Sequence, residues 1–497
     1  MAIRRLSRRS FLAYTAAGSA ALATATGQGV ARAAAPATPP NIVFILVDDL
    51  GWKDLGSYGN RFIDTPHMDG LAAAGMRFTD AYSGAPVCSP TRASLMTGQA
   101  PARVGIWEVI HLNRWGQRPF GKMLQPPLLD ALPAEHVTLA EALGEAGYTS
   151  ACVGKWHLGG RPEDHGFVSA SKTGDLSCLG PDLARDVQAF ARRATAKQAG
   201  PWTAQAVRFI AERGRAGQGG ASEPFFLYLC HKAVHAPLEA PDHLVTKYEA
   251  KAKREGVKSI HPEYAAMVEM VDQSVGLVLR TLEALRLADR TLVVLFSDNG
   301  GLVRDMRFDC PLVTSVAPLR SQKGDLYEGG IRVPLVVRWP GVVRPSTVCQ
   351  TPVISHDLYP TLLGAAGATA PAGRPLDGAS LVPLLKGTGG LAREALYWHF
   401  PTCSYDRRPM GAVRRGDFKL IEHYETGRAE LYNLRKDIGE QNDLSGAMPE
   451  KTAALRRDLA RWRKAVGARL PRLNPNHDPK REHLLPVDVE KVAGRTH

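Results

Sequence analysis

Two short runs of oxygen-bearing side chains stand at the ends of two strongly hydrophobic segments of the sequence. These runs are Asp48-Asp49 and Asp298-Asn299. Three carboxylates and one carboxamide suit a hard cation, Ca²⁺ somewhat better than Mg²⁺, and do not resemble a zinc site. Either run alone is weak support, because Asp and Asn commonly form the turns that end strands. The occurrence of both runs in one chain favours a single shared metal site.

A cysteine opens a third run of interest, Cys88-Ser89-Pro90-Thr91-Arg92, which has the composition of a helix start. Proline is favoured in the first turn of a helix, and a helical pattern follows it. The free backbone N–H groups and the dipole of a helix start attract negative charge, and Arg92 returns to the face of Cys88 one turn later. Cys88 could thus present a reactive group to an anion. An unmodified thiol is the alternative, and spacing alone leaves both open, because a lone cysteine needs histidine partners before it is taken as catalytic.

Continuous apolar segments alternate with helical patterns over most of the chain. Such segments are typical of strands buried on both faces, and their alternation with helices predicts a mostly parallel sheet covered on both sides. Ligands of such sheets bind at the carboxyl ends of the strands, so the acidic runs and several histidines should converge there. The expected strands are 42–47, 148–153, 225–230 and 292–296, and the expected helices are 137–145, 203–212 and 264–287.

The pattern changes at about Leu391 to short alternating runs. Residues 418–421 and 430–434 alternate as half-buried antiparallel strands do, and a helical pattern spans about 449–466. These segments predict a small antiparallel sheet with a packed helix, attached to the main domain. The tail from Pro471 is rich in proline and charge and is expected to be extended.

Two long motifs resemble the two signatures of the arylsulfatase family. The first is APVCSPTRASLMTG at 85–98, around Cys88, and the second is GYTSACVGKWHLG at 147–159. Further similarity, between Asn41 and Leu444, lies in His235-Ala236-Pro237, Asp298-Asn299-Gly300, Lys323-Gly324, 328–334 and 430–434. The resemblance implies an α/β fold, an alkaline-phosphatase-like α/β/α sandwich with a mostly parallel sheet plus a small C-terminal subdomain of antiparallel sheet and helix.

The resemblance also implies a particular nucleophile. Cys88 would be oxidised to formylglycine (3-oxoalanine) by a separate maturation enzyme that reads the Cys-x-Pro-x-Arg run. The hydrated aldehyde carries two hydroxyl groups, of which one would attack sulfur and the other would then expel sulfate and restore the aldehyde. One Ca²⁺ ion would neutralise a sulfate oxygen. Its implied ligands are Asp48, Asp49, Asp298, Asn299 and the modified side chain of Cys88.

Other motif residues have implied roles around this nucleophile. Arg92 and Lys155 would flank the formylglycine, and His157 would take the proton when the sulfated intermediate breaks down. Asp298 is the implied base for the attacking hydroxyl.

His235 and Lys323 would lie beside the bridging oxygen and supply charge or a proton to the leaving group. Outside these motifs, a lone lysine would be read as a surface cation and His235 as a turn histidine, but their positions within long motifs favour catalysis. Four histidines without such support are interpreted as structural or pocket-lining: His111, His165, His231 and His356.

The N-terminal residues resemble a twin-arginine export signal. Arg8-Arg9 is followed by an Ala-rich stretch and by small residues at cleavage positions 31–33. The Ala-rich stretch is too polar, and falls short of the roughly 20 apolar residues required to span a bilayer. We therefore predict an exported protein, periplasmic or extracellular, with the twin-arginine export machinery as a partner and no stable membrane span. The predicted divisions are a signal peptide at 1–33, a catalytic domain at 34–385, and a C-terminal subdomain with an extended tail at 386–497.

Composition excludes several other classes of protein. The 497 residues are 44% hydrophobic and 22% charged, as in an ordinary globular protein. The net charge of +13 includes no basic block interleaved with aromatic residues, so no nucleic-acid partner is expected. Seven cysteines without Cys-x-x-Cys spacing indicate neither a zinc site nor a dense disulfide framework.

The resemblance implies hydrolysis of sulfate esters, with a sulfated carbohydrate derived from a polysaccharide or glycosaminoglycan as the expected substrate. Alternatives that share the formylglycine and metal site are a small-molecule arylsulfatase and a phosphonate monoester or phosphodiester hydrolase. A sulfated-glycan binding protein is the alternative if Cys88 stays unmodified. Residues 316–322 replace the small glycines common before Lys323 in this family, which leaves the substrate side of the pocket undetermined.

Overall fold

The computed structural model describes residues 39–110, 117–216, 223–304, 312–403 and 407–484, so the predicted signal peptide at 1–33 lies outside the described residues. The strands are β1 (Asn41–Val47), β2 (Met76–Phe78), β3 (Ala81–Tyr82), β4 (Met123–Leu124), β5 (Thr149–Gly154), β6 (Phe225–His231), β7 (Thr291–Ser297), β8 (Leu335–Arg338), β9 (Thr347–Cys349), β10 (Val353–Ile354), β11 (Ala395–Phe400), β12 (Met410–Arg415), β13 (Phe418–His423), β14 (Ala429–Asn433) and β15 (Arg472–Leu473).

A seven-stranded sheet with the order β5-β6-β1-β7-β8-β2-β9 lies at the centre of the fold. β5, β6, β1 and β7 are parallel, whereas β8 is antiparallel to both β7 and β2. Every residue of β1, β6 and β7 is buried. Side chains alternate between the two faces, since Val43 and Ile45 belong to one core cluster and Phe44 and Leu46 to another. Burial on both faces explains why these strands are continuously apolar.

Helices cover both faces of this sheet. They are α1 (Pro66–Ala73), α2 (Cys88–Thr97), α3 (Pro101–Val104), α4 (Leu139–Gly144), α5 (Pro181–Arg193), α6 (Ala199–Ala216), α7 (Asp242–Glu255), α8 (Pro262–Ala284), α9 (Glu328–Ile331), α10 (Leu358–Ala366), α11 (Val382–Leu385) and α12 (Pro449–Ala465). Val207 of α6 and Val271 of α8 belong to the core cluster on one face, and Leu95 of α2 and Leu143 of α4 to the cluster on the other. The predicted α/β/α sandwich is confirmed.

The predicted helices are also present, with one difference in length. α4 and α6 cover the patterns at 137–145 and 203–212 to within a few residues, but α8 ends at Ala284 and not at Leu287. The chain leaves the helix because Arg286 adopts a left-handed φ of 56°. None of the helices in the described part of the chain is both long and apolar enough to cross a membrane.

The C-terminal region forms a second sheet, antiparallel and four-stranded, in the order β11-β12-β13-β14. α12 packs on it through Leu455 and Leu459, which share a core cluster with Val413, Leu420 and Leu431. The predicted antiparallel sheet with a packed helix is therefore confirmed. Within the tail, β15 pairs with β4.

Candidate active site

Four neighbouring parallel strands of the central sheet end at one edge, and a predicted site residue follows each of them. In the order β5, β6, β1, β7, these residues are Lys155, His235, Asp48-Asp49 and Asp298-Asn299. The register places Val47 opposite both His231 and Ser297, so the strands end nearly level. Sheet topology thus brings together residues that are far apart in the sequence.

Cys88 is the first residue of α2, so the predicted helix start is confirmed. The whole of α2 is buried, and Cys88 is 1% exposed. The next residue fixes this end of the helix: Ser89 Oγ donates to the carbonyl oxygen of His157 at 2.9 Å and accepts from the Ile110 N–H at 3.1 Å. The start of α2 is therefore tied to the segment that follows β5.

Cys88 and three aspartates form a compact group of potential metal ligands. Asp48, Asp49, Asp298 and Cys88 each bring one ligand atom to within 4.8 Å of the others. Asn299 Nδ2 donates to Asp49 Oδ1 at 2.8 Å. Asn299 Oδ1 and Asp48 Oδ1 are buried without a hydrogen-bond partner among the described residues, although buried polar atoms normally have one. This oxygen-rich set, in which two oxygens accept no hydrogen bond from a described residue, fits a hard divalent cation.

Each aspartate of the group is paired with a buried or nearly buried cation. Lys155 Nζ lies 2.5 Å from Asp48 Oδ2, Lys323 Nζ lies 2.7 Å from Asp49 Oδ1, and Arg92 Nη2 lies 2.8 Å from Asp298 Oδ2. The formal charges of these three pairs cancel. A divalent cation would therefore make the pocket positive and suited to an anion.

These ion pairs and burial together determine which side chains of the group are ionised. Burial opposes the charge of Asp48, but the cations around it, Lys155 above all, outweigh burial and hold the pKa of Asp48 well below its usual range. Burial and the charge of Asp48 raise the pKa of Asp298 to about 7. Burial, with the charge of Asp48, also raises the pKa of the Cys88 thiol well above its usual range. Cys88 as an unmodified thiol would thus be protonated at neutral pH and a poor nucleophile.

His157 lies beside these charges in a strained backbone conformation, with a φ of 61°. Burial and the charges of Lys155 and Arg92 lower the pKa of His157 to about 2. Its Nδ1 has no hydrogen-bond partner within the part of the chain that the structure describes. The ring is thus neutral and has a free nitrogen.

His235 lies on the other side of the aspartate pair. Its Nδ1 donates to the carbonyl oxygen of Ala236, and its Nε2 lies 3.9 Å from Asp49 Oδ2. Burial and the charge of Lys323 lower the pKa of His235 to about 4. The ring is therefore neutral at pH 7, and its Nε2 faces Asp49 in the group of potential metal ligands.

The turn after β1 is held by two residues that the sequence analysis did not single out. Asp54 Oδ2 accepts from the Gly51 N–H at 2.6 Å and from the Tyr264 hydroxyl at 2.5 Å. The spacing Gly51-x-x-Asp54 is a turn pattern that could have indicated Asp54. Tyr264 is 210 residues away from Asp54 in the sequence, and no local pattern points to it.

The segment 328–334, which the sequence analysis noted only as part of a motif, supports the turn after β7. The Gly300 N–H donates to the Gly330 carbonyl at 2.9 Å, and a Cβ on Gly300 would lie 2.0 Å from the Gly329 carbonyl oxygen. Glu328, at the start of α9, accepts from Lys419 of the C-terminal sheet at 2.9 Å. The C-terminal sheet is therefore connected, through α9, to the turn that carries Asp298 and Asn299.

Three of the four histidines interpreted as structural are described. His165, His231 and His356 are buried and do not belong to the metal-type groups found among the described residues. His111 lies outside the described residues.

Comparisons with known proteins agree with this geometry. A family model described as Sulfatase matches residues 40–368, and one described as N-sulphoglucosamine sulphohydrolase, C-terminal, matches 322–465. Arylsulfatase A of Homo sapiens is 34% identical, over 88% of this chain and 89% of that protein. N-acetylgalactosamine-6-sulfatase of Canis lupus familiaris is 33% identical, over 82% of this chain and 76% of that protein. The crystal structure of Ps i-CgsB in complex with k-i-k-neocarrahexaose has a TM-score of 0.68 at 25% identity, over 92% and 97% of the two chains.

An α/β/α sandwich with this acidic group at the carboxyl ends of its parallel strands defines the alkaline-phosphatase-like class of hydrolases. Within that class, the chain belongs to the sulfatase family and resembles its arylsulfatases. The protein is an enzyme that hydrolyses sulfate esters. Members of this family generally use a formylglycine and a divalent metal ion, and the group around Cys88 could hold such an ion.

Proposed function

We propose that the protein is a Ca²⁺-dependent carbohydrate sulfatase that uses a formylglycine formed from Cys88. One observation carries the proposal: Cys88 is buried at the start of α2 and shares a group of ligand atoms, all within 4.8 Å, with three aspartates. A nucleophile precursor, a helix start and a metal-type site therefore coincide. The helix start and a bound metal ion each favour an anion at this point, next to the nucleophile precursor.

In this proposal the ion is held by oxygen ligands at the strand ends. The ligands would be Asp48, Asp49, Asp298, Asn299 and the modified side chain at position 88. When bound, the ion supplies positive charge to the sulfate oxygens. Unused oxygens on Asp48 and Asn299 support this ligand set, and a site made of carboxylates and an amide suits Ca²⁺.

The formylglycine would supply the attacking oxygen, and Arg92 would fix its position. The Arg92 guanidinium is fully buried and donates to Asp298 Oδ2 and to the carbonyl oxygen of Lys155. Held in this way, Arg92 and the Lys155 ammonium flank the sulfate. Asp298 would accept the proton of the attacking hydroxyl.

Three further residues would complete proton transfer and charge stabilisation. The free Nδ1 of His157 supports its assignment as the acceptor of the proton released when sulfate is expelled. His235 and Lys323 lie on the Asp49 side. There the Lys323 ammonium would stabilise the leaving oxygen, and His235 would donate a proton to it once Nε2 is protonated.

A sulfated carbohydrate, derived from a polysaccharide or glycosaminoglycan, is the proposed substrate class. The likeness to an N-acetylgalactosamine-6-sulfatase and to a protein crystallised with a neocarrahexaose supports it. The likeness to arylsulfatase A supports the alternative of a small-molecule aryl sulfate. A phosphonate monoester or phosphodiester hydrolase, and a glycan-binding protein with unmodified Cys88, are left for the experiment to decide.

We also propose the cellular context of this enzyme. Residues 1–33 would direct export through the twin-arginine machinery to the periplasm or the extracellular space, and a formylglycine-generating enzyme would act on the chain first. The catalytic domain would span 34–385, with 386–497 as the C-terminal subdomain and tail. The match of the Sulfatase model to 40–368 supports the extent of the catalytic domain.

The test is sulfate release from a panel of sulfated mono- and disaccharides, 4-nitrophenyl sulfate and a phosphonate monoester, with anion chromatography as the readout. We expect the wild-type protein to desulfate at least one sugar, to lose activity in chelator and to recover it with Ca²⁺. Cys88→Ala should lower kcat by about 10³-fold or more, because the nucleophile is absent. Cys152→Ala removes another free thiol, in β5, and should stay within about twofold.

Two results would contradict the proposal. Turnover of the phosphonate alone would assign the chain to the other reaction class. Equal activity of Cys88→Ala and Cys152→Ala would remove Cys88 from the mechanism.

A further inference from the structure

Arg407 lies in the loop between β11 and β12 of the C-terminal sheet, but its guanidinium contacts two segments of the catalytic region. Its Nη1 lies 2.6 Å from Glu108 Oε1. Its Nε lies 3.1 Å from the position that a Cβ on Gly324 would occupy, so the guanidinium rests against that glycine. Gly324 directly follows Lys323, one of the cations of the active site.

Both contacts lie within a few residues of the reacting centre. The Gly324 N–H donates to the carbonyl oxygen of Pro86 at 2.9 Å, two residues before the cysteine. Two residues after Glu108, the Ile110 N–H donates at 3.1 Å to Ser89 Oγ, directly after the cysteine. Arg407 is therefore held by the two segments that contact the start of α2 from either side.

Glu108 uses only one side of the guanidinium. Nη1 is the one nitrogen of Arg407 that hydrogen-bonds to a described residue, so the edge formed by Nε and Nη2 has no partner among those residues. Burial opposes the charge of Glu108, but Arg407 outweighs it and holds the pKa of Glu108 below its usual range. Glu108 thus stays ionised and fixes the orientation of Arg407. The Arg407 side chain is 15% exposed, which allows contact with a solute.

The edge formed by Nε and Nη2 is the one with which arginine binds an oxyanion through two parallel hydrogen bonds. Arg103 shows this geometry in the same molecule, with Nε and Nη2 at 2.8 and 2.7 Å from the two oxygens of Asp377. Gly324 has a φ of 96° and no side chain, so no side chain at this position covers the Nε atom of Arg407.

We propose that Arg407 is a specificity-determining residue that binds a second oxyanion, a carboxylate or a further sulfate, on the sulfated sugar. The inference rests on the proposed function, since it concerns the part of the substrate that is not cleaved. The residues at the strand ends would bind the sulfate that is cleaved. Arg407, in a loop of the C-terminal sheet, would bind the neighbouring anionic group. A substrate with one anionic group would not engage this residue.

The experiment measures binding of three matched probes to the full-length protein. The first is an unsaturated chondroitin disaccharide with one sulfate and a free uronate carboxylate, the second is its uronate methyl ester, and the third is that ester with a second sulfate. Inhibition constants are measured against hydrolysis of 4-methylumbelliferyl sulfate, which has a single anionic group. Tighter binding of the first probe than of the second would show that Arg407 binds a carboxylate. Tighter binding of the third probe than of the second would show that Arg407 binds a sulfate.

We expect the wild-type protein to bind the first or the third probe about 10- to 100-fold more tightly than the second, the range for a hydrogen-bonded charge pair. Arg407→Gln should abolish this preference, and Arg407→Lys should keep part of it because the charge remains. Arg408→Gln is the matched control: Arg408 is the next residue, 73% exposed, and the preference should be unchanged. Turnover of the aryl sulfate should stay within about twofold in all three variants.

Arg407→Gln leaves Glu108 as a buried charge without its cation, which could disturb folding. A double variant, Glu108→Gln with Arg407→Gln, removes both charges and therefore separates a loss of binding from a folding defect. Loss of the preference in both variants, with circular dichroism unchanged, supports the inference. A wild-type protein that binds all three probes alike, or an Arg407→Gln protein that keeps the preference, would overturn it. Failure to release sulfate from the aryl sulfate and from every sugar tested would instead count against the proposed function, and calorimetry with the same probes would then decide the inference about Arg407.

Discussion

The side chains around Cys88 fall into two groups according to their charge partners. Arg92, Lys155 and Lys323 are each paired with an aspartate of the metal-type group. His157 and His235 have lowered pKa values and are neutral. Charge stabilisation is therefore expected mainly from the cations, and proton transfer from the histidines.

His235 gives a test of this division. If His235 stabilises the leaving oxygen, its removal should lower kcat/KM most for a substrate whose oxygen is a poor leaving group. We expect His235→Ala to lower kcat/KM about 10²- to 10³-fold for a sugar sulfate and much less for 4-nitrophenyl sulfate. Steady-state kinetics with both substrates checks this, with His243→Ala, at an exposed histidine of α7, as the control. An equal loss for both substrates, or no loss for the sugar sulfate, would show that the assignment is wrong.

Single residues show how far the sequence could predict the site. The structure brings together all the predicted site residues at one edge of the sheet, although their roles stay predictions. Ser89, Tyr264 and Arg407 were not found, because each acts through a partner distant in the sequence. Arg407 and Glu108, for example, are 299 residues apart. Local patterns record burial and turns but not such long-range pairs.

Among the secondary-structure elements, α9 connects the two sheets. Glu328, its first residue, and Glu440 both lie 2.9 Å from the fully buried ammonium of Lys419 in β13. The Gly329-Gly330 pair that follows packs against the turn after β7. The C-terminal sheet therefore supports the turn that carries Asp298.

Replacement of Lys419 tests this connection. Lys419→Met leaves the buried carboxyl group of Glu440 without its cation and leaves Glu328 with Arg332 as its one ion-pair partner among the described residues. The change should cost about 3–5 kcal/mol of unfolding free energy. Lys436→Met, at an exposed lysine, should change stability by less than about 0.5 kcal/mol. Urea denaturation of both variants measures the difference. A loss below about 1 kcal/mol in Lys419→Met would mean that the buried triad does not hold the two sheets together.

The elements themselves were more predictable than their arrangement. Continuous apolar runs indicated β1, β6 and β7 because strands buried on both faces need them. The order β5-β6-β1-β7 was not predictable, because pairing partners such as β1 and β7 lie about 250 residues apart and their side chains are interchangeable apolar residues. The C-terminal antiparallel sheet was predicted from alternation, but the contact of Lys419 with Glu328 was not.

In the molecule as a whole, the burial of Cys88 has a consequence for the order of events in the cell. Cys88 is 1% exposed, at the start of a helix that is buried throughout. A maturation enzyme could not reach it in the folded protein. If Cys88 is converted to formylglycine as proposed, and residues 1–33 direct export by the twin-arginine route, which carries folded proteins, the conversion has to precede both folding and export.

Intact-peptide mass spectrometry of the purified protein shows directly whether Cys88 becomes a formylglycine. We expect the tryptic peptide containing Cys88 to have lost the elements of hydrogen sulfide and gained one oxygen, as an aldehyde at position 88 requires. The peptide containing Cys152 should keep its thiol. A peptide that carries only the thiol at Cys88, in a preparation that releases sulfate from a sugar, would show that Cys88 is not a formylglycine precursor.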